Sequence, residues 1–262
     1  KDGNPKTRSD GSIRTKKIKQ KELQIKYDWV GFKKYKRVIN DQEYQDAAKF
    51  TFIYVIVSVV IEIILGLFLA FLFNRRIYGR GFMRSLMILP IFATPFAIGF
   101  MFFTILFEIS GPLAWMGIPF LSNHNWAPFS VMLVDIWQWT PFCFLVFLAA
   151  LQGIPDDLIE AATLDTKSAY KIWTSVILPL LQPIIVLVIL LRVAESAKLY
   201  DYIASLTKGG PGTATQSVSF LVFNKAFKMN DFGYASAGSF LMLIVVMVFV
   251  MLFFTRLRKT YE

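Results

Sequence analysis

Cysteine and histidine are almost missing from this chain, which has one of each, Cys143 and His124, in 262 residues. A single thiol excludes an internal disulfide and any thiolate metal cluster, and a lone loop histidine supplies no ligand set. No Gly-x-x-x-x-Gly-Lys-Ser/Thr loop occurs. Gly209-Gly210-Pro211-Gly212 comes nearest but carries no lysine, so the usual phosphate cradle for ATP hydrolysis is absent from the sequence. No His/Cys/Asp grouping has catalytic or ligand spacing either, which sets aside a membrane-embedded enzyme. Acidic residues are few, 18 against 28 Lys and Arg, for a net charge of +10. That excess gathers at the N-terminus and in short loops beside apolar runs, where it sets membrane orientation. It does not interleave with aromatics as a nucleic-acid surface does.

Apolar residues, by contrast, are abundant. The hydrophobic share is 55%, with 26 Phe and a mean hydropathy of +0.52. A soluble domain of this length cannot bury so much, and the excess should face lipid. Apolar runs predict five helical spans, at 50–73, 86–107, 128–151, 180–200 and 234–254, each near the roughly 20 residues that cross a bilayer. The expected fold is an all-α membrane protein. A polar, basic segment at 1–46 precedes the membrane domain at 47–258, and a short tail follows at 259–262. The stretch opening at Tyr27-Asp28-Trp29 reads as a short amphipathic helix at the membrane surface.

Orientation follows from charge. Arg75, Arg76, Arg80 and Arg84 lie between the first two spans, and Arg256, Arg258 and Lys259 follow the fifth. By the positive-inside rule both regions are cytoplasmic. The loop 152–179 is then also inside, and the loop 201–233 outside. Five spans place the basic residues 1–46 outside, unless a further span precedes them.

The polar insertion at 152–179 is the most informative segment. Pro155 suits a helix start, and Asp156, Asp157 and Glu160 put negative charge where the helix dipole favours it. Asp165-Thr166 interrupts, and Lys167–Leu178 resumes helical spacing until Pro179, which is expected to end that helix. Two short helices in an L, alanine-rich and aromatic, suit docking into a groove on a partner.

Glu160, Ala161, Ala162, Asp165, Leu178 and Pro179 in this order resemble the coupling loop of bacterial ABC-importer permeases. Leu89-Pro90, Trp137-x-Trp139-Thr140-Pro141, Gln152-x-Ile154-Pro155, Thr207–Gly212 and Phe232–Ala237 are similar to their sugar-permease branch, of the maltose-transporter type. The resemblance covers roughly residues 29–258. It implies the type I importer bundle in the cytoplasmic (inner) membrane, with a sixth span upstream. It also implies a non-catalytic subunit with four kinds of partner: a second, homologous permease, two cytoplasmic ATPase subunits, an extracytoplasmic substrate-binding protein, and a carbohydrate as solute. No cofactor is expected on this chain; ATP and Mg belong to the ATPase subunits. The same machinery carrying glycerol-phosphate is the alternative, and an ion-driven secondary transporter, which should show an inverted repeat, is a more distant one. Thr166 stands where the family pattern has glycine, so a different or a strained turn is expected there.

Polar groups inside lipid are costly and mark functional candidates. Asp135, Gln138 and Trp139 share a helical face with Trp137 beside them, suited to stacking on sugar rings and bonding hydroxyls. Arg192 and Glu195 are spaced to pair, as are Glu195 and Lys198, with Tyr200 following. Asp135, Trp137, Gln138, Trp139, Glu195, Lys198 and Tyr200 form the expected substrate pathway. Glu62 is expected to face the bundle, and Pro90, Pro95 and Pro141 to kink or interrupt their helices.

Overall fold

A computed structural model describes residues 31–74 and 78–261, and among them there is no strand. Residues 1–30, including the Tyr27–Val30 part of the expected surface helix, lie outside the described residues, as do Arg75 and Arg76. Four helices are long and apolar enough to cross a membrane: Gln42–Asn74, Trp126–Gln152, Ala169–Ser196 and Phe232–Leu252. A bent pair, Gly81–Phe92 with Pro95–Leu106, makes a fifth.

Helix α1 (Lys33–Ile39) leads into α2 (Gln42–Asn74), which is 33 residues long. The expected boundary at 46/47 therefore falls inside a helix, and α2 starts eight residues before the predicted span. Its polar first turns are held by tertiary contacts: Tyr44 donates to the Gly238 carbonyl at 3.0 Å, and Glu43 accepts from Lys225 and Gln216. Along α2 the buried positions Thr51, Tyr54, Ser58, Glu62 and Gly66 form one stripe at helical spacing.

The second span is not one rod. Helix α3 (Arg80–Ile88) passes into a 3-10 turn at Leu89–Phe92, and α4 (Pro95–Leu106) leaves at 100° to it. Pro95 lacks an N–H and pushes Thr94 into extended backbone (φ −68°, ψ 142°). Thr94 then caps α4, its hydroxyl accepting from the Ala97 N–H. The loop that follows is ordered by Glu108, whose carboxylate accepts from the N–H groups of Leu121 and Ser122 at 2.6 and 2.7 Å.

Helix α5 (Trp126–Gln152) runs unbroken past Pro141 and packs more extensively on α2 than any other helix pair does. Gly66 makes this possible, because a Cβ there would sit 2.6 Å from the Cβ of Cys143. Helix α6 (Asp156–Asp165) ends at Thr166, and α7 (Ala169–Ile172) is started by the Ser168 side chain. Helix α7 continues through a π-turn at Trp173–Ile177 into α8 (Leu178–Ser196). Pro179 thus does not end the helix, contrary to expectation; the wider π-turn accommodates a residue with no N–H, so the chain passes it unbroken. Helix α9 (Val218–Phe223) and α10 (Phe232–Tyr261) complete the bundle.

Candidate functional site

Three spans meet at a buried ion cluster. Arg192 of α8 donates to Glu62 of α2 through Nε at 2.6 Å and Nη2 at 2.9 Å. The same Nη2 lies 3.3 Å from both carboxylate oxygens of Asp135 on α5 and 2.9 Å from Ser196 Oγ. Glu62, Asp135 and Arg192 are all essentially inaccessible. The expected Arg192–Glu195 pair is not formed. Glu195 instead accepts from exposed Lys198 at 2.8 Å, because its position turns toward the surface while Arg192 turns inward. A local i, i+3 spacing was the only partner visible in sequence. The cross-helix partner, 130 residues away, answers the greater need of a buried charge for a counter-charge.

The cluster grades into a polar relay. The Arg192 guanidinium lies over the Trp139 ring at 4.6 Å. Trp139 Nε1 donates to the Tyr202 hydroxyl at 3.1 Å, and that hydroxyl donates to Gln138 Oε1 at 2.7 Å. Gln138 Nε2 in turn donates to the Ala93 carbonyl at 2.8 Å, at the break in the second span.

Beside the relay is a cavity of about 150 Å³ whose wall includes Tyr54, Asp135, Trp139, Arg192, Glu195, Lys198, Tyr200 and Tyr202. Five of the seven expected pathway residues meet there. Two do not. Gln138 is turned to Ala93 and Tyr202, and Trp137 points to the outer face, where it is 42% exposed and meets the Phe102 ring edge-on at 5.2 Å. Sequence reading missed Tyr54 and Tyr202. Tyr54 could have been found from the polar stripe Thr51, Tyr54, Ser58, Glu62; Tyr202 lies beyond the span and gave no periodic signal. The buried Tyr54 hydroxyl adjoins the Asp135 carboxylate.

At the other end of the molecule, the α6–α7 elbow stands clear of the bundle. Glu160, Ala161 and Asp165 are exposed, Leu178 and Pro179 are exposed at the start of α8, and Ala162 is buried within the elbow. Leu164 and Tyr170 are 88% and 78% exposed. Thr166 is extended, with φ −152° and ψ 137°, so a different turn replaces the left-handed one and no strain arises.

The family model for "Binding-protein-dependent transport system inner membrane component" matches residues 62–262. The chain belongs to this family. Among its relatives is the trehalose/maltose transport system permease protein MalF of Thermococcus litoralis, 36% identical over 86% of this chain and 78% of that protein. Another is the sn-glycerol-3-phosphate transport system permease protein UgpA of Agrobacterium fabrum, 29% identical over 84% of this chain and 77% of that one. The same bundle occurs in a crystal structure of a bacterial alginate ABC transporter in complex with alginate pentasaccharide-bound periplasmic protein. There the TM-score is 0.79 at 21% identity, covering 89% of this chain and 84% of that one. The inner-membrane permease is thus a transport subunit of the ABC type, built around a charge cluster at one end of its relay and an elbow in its second span at the other.

Proposed function

We propose that this permease is one of two membrane subunits of an ATP-driven carbohydrate importer, working by alternating access. The observation that carries the reading is the exposed α6–α7 elbow, two helices that, among the described residues, present Leu158, Leu164 and Tyr170 to solvent. Such a surface suits a groove on a separate ATPase subunit, and ATP with magnesium would bind there. This chain contributes the docking elbow, the pathway wall and the conformational change. An extracytoplasmic binding protein, as in the alginate complex, would deliver the solute to the opposite face.

The cavity favours a neutral saccharide. Trp139, Tyr200 and Tyr202 offer ring faces. Both cations in the wall are already engaged, Arg192 by Glu62 and Asp135, Lys198 by Glu195. A glycerol-phosphate or an acidic sugar would find Arg192 already neutralised by two carboxylates and only exposed Lys198 with donors to spare. At about 150 Å³ the cavity is smaller than the roughly 300–1,000 Å³ of complete ligand sites, so a second permease subunit is needed to close the pathway.

The test is twofold. Leu164→Asp should abolish co-purification of the ATPase subunit while leaving the permease pair assembled; retention of the ATPase would remove the elbow from docking. Uptake by the whole transporter should favour trehalose or maltose over glycerol-3-phosphate and oligouronate. Preference for the anions would reverse the substrate reading.

A further inference from the structure

We propose that Gln138 is a positioning residue that sets the angle of the elbow in the second span and ties it to the cavity wall. At that break the Ala93 carbonyl has left the helical ladder. The next residues offer it little: Pro95 has no N–H, and the Ala97 N–H is taken by the Thr94 hydroxyl. Gln138 Nε2 fills the gap from α5 at 2.8 Å, and its side chain is buried. Backbone groups freed inside a membrane persist only where neighbouring protein satisfies them. The amide is used at both ends, because Oε1 accepts from Tyr202 while Nε2 holds Ala93, and this fixes which way the group points.

Helix α4, on the far side of the elbow, rests on the segment that carries Tyr202. A Cβ at Gly99 would lie 2.0 Å from Ser205 Oγ and 3.4 Å from Tyr202 Cα. One amide therefore joins the bend, α5 and the hydroxyl that Trp139 also bonds in the cavity wall. A hydroxylated solute entering the cavity competes for that Tyr202 hydroxyl, so occupancy reaches the elbow through two hydrogen bonds. The link to transport rests on the proposed function; the geometry of the elbow does not.

The experiment uses the assembled transporter in lipid nanodiscs, with spin labels on cysteines introduced at Leu86 and Phe100, exposed positions on either side of the bend. Cys143 is fully buried and stays unlabelled. Pulsed EPR should give one narrow distance with Gln138 in place. Gln138→Met, similar in volume but unable to donate, should lose that single distance and show a broad distribution. Tyr202→Phe, which removes one oxygen, should broaden it less, and it carries the test if Gln138→Met does not assemble. Wild-type distance distributions in every variant that assembles would overturn the proposal, whatever happens to uptake. An unsubstituted transporter that shows the expected elbow but moves no saccharide would instead overturn the functional reading alone.

Discussion

Arg192 shows what a charge demands once it is taken out of water. Two carboxylates from two other helices turn to it, one bidentate at 2.6 and 2.9 Å and one at 3.3 Å. Removing the guanidinium leaves both acids buried without a counter-charge. Arg192→Met should therefore destabilise the bundle by about 3–5 kcal/mol, read as earlier loss of the folded permease on heating. Replacing all three charges with apolar residues, Glu62→Leu, Asp135→Leu and Arg192→Met together, should recover much of that loss. A triple variant no more stable than the single one would show that packing, rather than orphaned charge, is the cause. That Glu62 faces inward was legible, because a lone acid in a lipid-crossing run must be satisfied within the bundle. Its partner was not legible, since nothing in a single sequence registers one helix against another. The role of Gln138 was hidden for the same reason: its partner is a backbone carbonyl, which has no residue type to read.

Helices follow the apolar runs, so span count and order could be read before the fold was known. Pro90 and Pro95 announced an interruption in the second span. The 100° bend did not follow from them, because its angle is fixed by groups on α5 and on the segment after α8. The early start of α2 was likewise set by distant contacts at Glu43 and Tyr44. The seam between α2 and α5 carries its own prediction. Gly66→Ala would drive a Cβ to 2.6 Å from Cys143 Cβ and 3.0 Å from the Phe144 nitrogen, and backbone cannot swing aside as a side-chain tip can. The expected cost is about 1–3 kcal/mol, visible as a lower unfolding temperature of the purified permease. Cys143→Gly should restore part of it. The same substitution at Gly81, whose added Cβ meets nothing within 4 Å, should leave that temperature unchanged.

Over the whole described chain, its first helix is fastened to the start of its last. Lys34 and Arg37 of α1 bind Asp231 just before α10, at 3.2 and 2.9 Å, and Tyr234 donates to Asp41 at 2.7 Å. The Tyr234 N–H, foremost, and then Lys34 hold the Asp231 carboxyl below the ordinary carboxylate range. A carboxyl with a lowered folded pKa stabilises the fold above its unfolded value, and that contribution fades as pH falls through the folded value. The clasp should thus hold at neutral pH and let go in acid, below about pH 4. Hydrogen exchange of the 33–39 amides, corrected for intrinsic rate, should rise there, and Asp231→Asn should produce the same rise at pH 7. Unchanged protection in both cases would mean that α1 is held by its apolar contacts alone.

One continuous helix, Ala169–Ser196, begins at the exposed α6–α7 elbow and carries Arg192 close to its far end. At 1.5 Å per residue its 28 residues make a crankshaft about 40 Å long. On the proposed function, a stroke delivered at Tyr170 would pass through the π-turn at Trp173–Ile177 and displace the guanidinium on which Glu62 and Asp135 converge. On the same reading, the extended backbone at Thr166 would serve as the universal joint at the driven end, letting α6 swivel in a partner's grip while the shaft keeps its own line.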